Sequence, residues 1–478
     1  MLIEQVDQKD KATRLPDYEQ ERSKFPAPGW VKQNTAILVV HGIGHQQPVE
    51  TLDQFSRGII ERYEILFPGA ISFEHKLNTV AYAESPIFQN TIRINHKEHP
   101  KKSIDIYEYY WAYCTQDKAQ MSDINVWLKG VANGAKKYYK KNEALGIKFE
   151  DESIFFKNGK FIAWKYDLFL NTVTKTYLFL NFLIKGLLTL FGFIPFIGDL
   201  AKSLLKSYLD SSVHKLSNLM GDIVIYNVTD EKSKFYPIRK QILEGATQVL
   251  QSLLEKTEGK ELSYPAVFVA GHSLGSEIAY DAINRLNLLA NTGNMKYYTE
   301  KGLFNEAAHD IGNAPRLLSG QLKGLITFGS PLDKIAFFLR QLVSDGNYIW
   351  QQVIDNYHCF KQGDWNLPFP KSKKMTGSSI HRILEDVKWV NYFDCDDIVS
   401  GRLDYFTGLT NVECKFNCSK QFATKKSKFT HSFYWACGDF YEDIIQNFLS
   451  AGDTKDDNKP KDMEPSVSIL PINGLGVV

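Results

Sequence analysis

Apolar residues recur along the chain in two alternating rhythms. A run of five, Ala36 to Val40, leads into the Gly-rich turn His41-Gly42-Ile43-Gly44. Such a run is that of a strand buried on both faces, followed by its exit loop. Residues 48–66 then space their apolar positions (Val49, Leu52, Phe55, Ile59, Tyr63) as a helix does. Ser103–Cys114 is rich in β-formers and predicts a strand. After a long interruption the alternation resumes. Asp222–Asn227 predicts a short strand, 237–254 a helix, Ala266–Ala270 a strand and 276–289 a helix. Leu325–Phe328 predicts a strand, 334–342 a helix, Lys388–Phe393 a strand and 433–449 a last helix. Strands alternating with helices predict an α/β fold, a mostly parallel sheet with helices on both faces.

The interruption, 115–221, divides the pattern. The expected organisation is a polar arm over 1–33, a core from 34–114 and 222–450, a helical insertion over 115–221, and a polar, disordered tail over 451–478. A chain of 478 residues is long enough for about three domains, or for one large α/β domain carrying insertions. Within the insertion, Thr176–Ile197 has fourteen Leu, Ile or Phe among its 22 residues. Lys185 splits this stretch and Pro195 breaks it, so neither half reaches the ~18 residues of a clear membrane span. Fourteen such residues favour insertion by about 6 kcal/mol, and a central lysine returns about 3. Cap helices over a site, an interfacial membrane-docking surface and a true span all remain open for it. The Lys136–Lys141 cluster adds charge that can meet anionic headgroups.

Charge narrows the function classes. Lys and Arg number 56 against 55 Asp and Glu, a net charge of +1. That balance gives no overall field for nucleic acid, and none is expected as a partner. A mean hydropathy of −0.28 excludes a polytopic membrane protein. The six cysteines are scattered, and the N-terminus lacks the basic-then-apolar order of a signal peptide. The expectation is a reducing, cytoplasmic compartment, with peripheral membrane contact through 176–197 at the inner face. Cys414, Cys418 and His431 offer a weak zinc pattern without a second matched pair, and no metal or cofactor is expected.

The strongest chemical signal is Gly271-His272-Ser273-Leu274-Gly275, a G-x-S-x-G run between a predicted strand and a predicted helix. Ser273 must sit there on a sharp, strained turn, and glycines must flank it because side chains would strike neighbouring backbone. His272 reads as a packing residue, unable to reach back to Ser273. With Val39–His45, Gly271–Gly275, Leu325–Lys334 (LITFGSPLDK), Trp389–Gly401 (WVNYFDCDDIVSG) and Thr430–Trp435 (THSFYW), the chain resembles serine lipases and esterases of the α/β-hydrolase superfamily. The likeness covers roughly residues 35–50, 265–335 and 388–449, and nothing in 115–221.

The resemblance implies a triad in the order Ser, acid, His. Ser273 is the nucleophile. His431, before the last helix, is the base, preferred over His309, His358 and His381. The acid is Asp397, whose Asp-Ile-Val context matches similar lipases, with Asp394 as runner-up and Asp396 a neighbour. These carboxylates could instead hold Ca²⁺, though they do not have EF-hand spacing. The oxyanion donors are the N–H groups of Ile43 and Leu274. The expected function is a serine carboxylic-ester hydrolase acting on lipid esters. Acyl transfer to an alcohol, a lipase toxin delivered to other cells, and a non-catalytic membrane-associated scaffold on the same fold are the alternatives.

Overall fold

The computed structural model describes residues 13–14, 29–44, 46–80, 87–116, 221–228, 231–258, 261–291, 320–335, 386–394, 399–403, 408–414 and 431–450, with short stretches between 118 and 168 and single residues such as Asp397 besides. Among the described residues nine strands form one sheet, eight of them five residues or longer. These are β1 (Thr35–Val40), β2 (Ile71–Val80), β3 (Ile87–His96), β4 (Ser103–Tyr109), β5 (Ala266–His272), β6 (Leu322–Phe328), β7 (Lys388–Phe393) and β8 (Leu409–Glu413). Their spatial order is β8-β7-β6-β5-β1-β4-β3-β2, and a two-residue strand, Thr13–Arg14, pairs outside β8. Pairing is parallel from β8 to β4 and antiparallel from β4 to β2.

The central strands are apolar throughout because both faces are covered. In β1, Ala36, Leu38 and Val40 point into one core, with α2 (Tyr236–Glu255) and α3 (Leu274–Asn291). Ile37 and Val39 point into the other, with α1 (Glu50–Leu66) and α4 (Gly438–Ile444). The α/β arrangement expected from the alternation is therefore present. Strand β5 lies between β1 and β6, with Val269 opposite both Leu38 and Leu325. Every parallel strand thus ends at the edge where β5 runs into α3.

Several expectations need correction. Residues 222–227 are not a strand. Residues 221–226 form a helical turn, closed by Asn227 N–H donating to the Ile223 carbonyl at 3.0 Å. The run Ile-Val-Ile-Tyr is buried nearly all round, which removes the periodicity that separates helix from strand. The strand read over 103–114 stops at Tyr109, and Ala112–Cys114 is a 3₁₀ turn. The last helix is broken: a 3₁₀ turn at Phe433–Ala436, then α4, then a π-helical turn at Ile445–Leu449. Extended backbone at Cys437 separates the first two.

The end of the supposed polar arm is packed. Trp30 and Val31 are buried, and the Trp30 indole donates to the Lys102 carbonyl. The hairpin β2–β3 and strand β8 are not among the expected elements; β2 alternates Ile71, Phe73 and Leu77 with polar residues, but Phe73 and Leu77 are exposed. The insertion's apolar segment 176–197, most of helix 334–342 and the tail lie outside the described residues. No described helix is long and apolar enough to cross a membrane.

Candidate active site

Ser273 sits between β5 and α3 with a φ of 53°, in the left-handed region that a side chain rarely adopts. Its flanks show why the turn needs glycine. A Cβ on Gly271 would lie 2.6 Å from the Gly275 carbonyl oxygen, and one on Gly275 would lie 2.3 Å from that of Val40. The turn is tied down from within, since Ser276 N–H donates to the Ser273 carbonyl and Ser276 Oγ to the Gly271 carbonyl. Ser273 N–H donates to the Phe328 carbonyl at 3.0 Å, anchoring the turn to β6. Ser273 is only 1% exposed, and its Oγ is buried with no hydrogen-bond partner among the described residues.

His431 lies in the loop before the 3₁₀ turn at Phe433. Its Nδ1 is 2.8 Å from Asp397 Oδ2, and its Nε2 is a buried atom. Asp397 follows β7 and is itself buried. Burial alone would raise its carboxyl. The His431 hydrogen bond and charge, the Val399 N–H at 2.9 Å and the Ser400 hydroxyl outweigh burial and hold it below the usual carboxylate range. Tyr434 Oη reaches the same Oδ2 at 3.3 Å and also pairs with Ser400 Oγ. Asp394 is buried nearby, and its main-chain oxygen accepts from Asp397 N–H. Asp396, His309, His358 and His381 lie outside the described residues.

Two glycines bring these groups together. A Cβ on Gly42 would meet Ser273 Cβ at 2.7 Å, and one on Gly329 would meet His431 Cε1 at 3.0 Å. His272 lies among them. Its ring centroid is 4.8 Å from that of His431, and its Nε2 is 3.2 Å from the His431 main-chain oxygen. Burial first, and the neighbouring His431 second, push the His272 imidazole down to about 3. Neutral at ordinary pH, it can donate from Nε2 to that oxygen, so it helps to hold the His431 loop. The expectation of a packing residue holds, with this hydrogen bond added.

The loop His41–Gly44 is fixed from several sides. The His41 imidazole is buried and pushed down to about 4 by that burial. Its Nε2 accepts from the N–H groups of Trp111 and Ala112 at 3.0 and 3.2 Å, which leaves Nδ1–H to donate to the Gly42 carbonyl at 2.8 Å. The Trp111 indole stacks on the ring at 4.7 Å and donates to the His41 carbonyl. A trans peptide points its carbonyl and N–H in opposite directions. Holding the Gly42 carbonyl toward the His41 side chain therefore turns Ile43 N–H away from it. Gly44, at φ 101°, donates its N–H to Asp222 Oδ2 at 2.8 Å. Leu274 N–H opens α3, at the positive end of the helix dipole.

Sequence reasoning missed Asp222, Trp111, Tyr434 and Ser400. Tyr434 stands three residues after His431 inside a motif already singled out; nothing local marks Asp222 or Trp111.

Among the described residues His96, Glu98 and His99 could offer metal ligands, with donor atoms within 4.8 Å of one another. His96 Nδ1, however, accepts from Glu98 N–H, so in the neutral ring Nε2 carries the proton. Of the weak zinc pattern, His431 has its Nδ1 engaged with Asp397, and Cys418 lies outside the described residues. The chain matches no known protein-family model, and no curated protein shows significant similarity to it.

Proposed function

We propose that the protein is a serine carboxylic-ester hydrolase with an α/β-hydrolase core. The observation that carries this reading is Ser273 held at φ 53° between two glycines that tolerate no side chain, with the His431–Asp397 pair packed against the adjacent His272. Backbone strain of this kind costs about 1–3 kcal/mol and persists where the surroundings enforce it, typically at reactive sites.

In the mechanism, His431 Nε2 takes the Ser273 hydroxyl proton as Oγ attacks the ester carbonyl. Asp397 fixes Nδ1–H and stabilises the imidazolium. The tetrahedral oxyanion collects at the Ile43 and Leu274 N–H groups, each worth roughly 3 kcal/mol in the transition state. The imidazolium returns its proton to the leaving alcohol. Water, activated by the same nitrogen, then attacks the acyl-enzyme, releases the acid and restores Ser273. The apolar segment 176–197 supports lipid esters as substrates and peripheral contact with a membrane.

The test is fluorophosphonate labelling of wild type and Ser273→Ala, with and without liposomes. Labelling of wild type alone is expected, and liposomes are expected to increase it. A folded wild type that never labels would overturn the reading.

A further inference from the structure

At the opposite edge of the sheet from Ser273, a cleft of about 350 Å³ opens among Asn34, Arg93, Asn95, Lys101, Lys256 and Tyr264. Asn34 precedes β1, Ser103 begins β4 and Tyr264 precedes β5, so the cleft lies at the strands' amino ends. A strand rises about 3.3 Å per residue, which places it roughly 20–25 Å from the nucleophile. It belongs to no part of the proposed hydrolase.

Its lining has a definite chemistry. Three cations, Arg93, Lys101 and Lys256, face it together with neutral amide and hydroxyl groups, and among the described residues no carboxylate lines it. Two carboxylates approach Arg93 from outside the lining. Asp105, buried, grips the guanidinium through Nε at 2.7 Å and Nη2 at 2.6 Å. It also accepts from Tyr264 Oη. Glu74, on β2, is held by Lys76 at 2.9 Å. Asp105 therefore sets the orientation of Arg93.

Lys256 is braced as well. Its Nζ lies 5.7 and 5.4 Å from the ring centroids of Tyr107 and Tyr264, and 3.3 Å from Tyr107 Oη. Its main-chain oxygen accepts from Ser263 N–H across the short hairpin Thr257–Glu258/Glu261–Leu262. The two tyrosine hydroxyls meet at 2.5 Å, joining Lys256 to Asp105 and Arg93 in one network. A volume at the lower end of small-molecule sites, with a polar and cationic lining, suits a hydrophilic anion rather than an acyl chain.

We propose that this cleft binds a small soluble phosphate ester, its phosphate held by Lys101, Lys256 and the Arg93 guanidinium. Ordered cations of this kind make charge-assisted hydrogen bonds about twice as strong as neutral ones. Asn34, Asn95 and Ser263 supply uncharged contacts for the remainder of the ligand.

Isothermal titration of the full chain with sodium pyrophosphate as probe tests the proposal, in sodium chloride matched for ionic strength. Saturable one-to-one binding with a dissociation constant below about 1 mM is expected. The double variant Lys101→Gln/Lys256→Gln should weaken it at least about tenfold. Asn95→Asp, which puts a carboxylate in the cleft, should abolish it. Both variants replace side chains outside the core, and a cooperative thermal melt checks that they fold. No saturable heat with wild type, or unchanged binding in both variants, would overturn the proposal. Neither result depends on whether Ser273 is a nucleophile.

Discussion

Nδ1 of His431 lies 2.8 Å from Oδ2 of Asp397, and Tyr434 Oη reaches the same oxygen from 3.3 Å. In the neutral ring this bond places the proton on Nδ1 and leaves Nε2 basic. Asp397→Asn can present its amide N–H₂ to Nδ1 and so stabilise the wrong tautomer. Ester hydrolysis is expected to fall by about 10⁴ in kcat, with the fold retained. Asp394→Asn should cost less than about tenfold, and steady-state kinetics on a soluble ester separate the two. The carboxyl of Asp397 is held below its ordinary value, so its stabilising effect is present above the unfolded value and lost as pH falls through the folded one. Urea midpoints of Asp397→Asn should therefore lie below wild type at pH 7 and converge with it in acid.

The strain at Ser273 has a measurable counterpart. Alanine keeps a Cβ in the left-handed conformation, and glycine does not. Relief of about 1–2 kcal/mol is only partly offset by the larger entropy glycine loses on folding. Ser273→Gly should thus be more stable than Ser273→Ala by about 1 kcal/mol in urea unfolding, with both unreactive toward fluorophosphonate. Equal stabilities would show that the turn is relaxed.

The pattern of strain and support explains what the sequence made legible. The parallel core could be read because its strands are continuous apolar runs, as in β1 and β5. The elbow could be read because glycine at 271 and 275 is a local steric necessity. The carboxylate partner of His431 could be narrowed but not fixed, since Asp394 and Asp397 are both buried and only a long-range contact, to a loop near residue 431, distinguishes them. Asp222 was invisible for the same reason. It lies 178 residues from its partner Gly44, in a run whose uniform burial also disguised a helical turn as a strand. The edge hairpin β2–β3 escaped because the alternation of Ile71, Phe73 and Leu77 is brief, and Phe73 and Leu77 face solvent instead of a core.

Gly329 offers a test of how tightly the imidazole is confined. It has a φ of +60°, and a Cβ there would lie 3.0 Å from His431 Cε1 and 3.2 Å from His272 Nε2. Gly329→Ala therefore combines backbone strain of about 1–2 kcal/mol with pressure on both rings. A displacement near 1 Å at a catalytic group can cost about a hundredfold in rate. The expected outcome is a fall in kcat of about that size with a Tm lowered by several degrees. A variant with a lowered Tm but unchanged kcat would show that His431 has room to move.

Asp222 is where stability and the shape of the His41–Gly44 loop pull in different directions. Burial raises its carboxyl from 3.8 to about 6, even though Gly44 N–H and the Thr115 hydroxyl both favour the ionised form. A folded value above the unfolded one means that its contribution to stability is full below about 3.8 and is lost as pH rises through about 6. That change corresponds to about 3 kcal/mol at most, since relaxation of the surroundings reduces it. Asp222→Asn keeps an acceptor for Gly44 without a charge. It should be more stable than wild type at pH 8, nearly equal at pH 4, and close to wild type in kcat. Asp222→Ala removes the acceptor and leaves Gly44 N–H unsatisfied at the loop that presents Ile43. It should lower kcat by about ten- to a hundredfold with KM little changed, the pattern for a group that acts on transition-state stabilisation alone. If the alanine variant instead matched the asparagine variant in kcat, the loop would hold its shape through His41 and Trp111 alone.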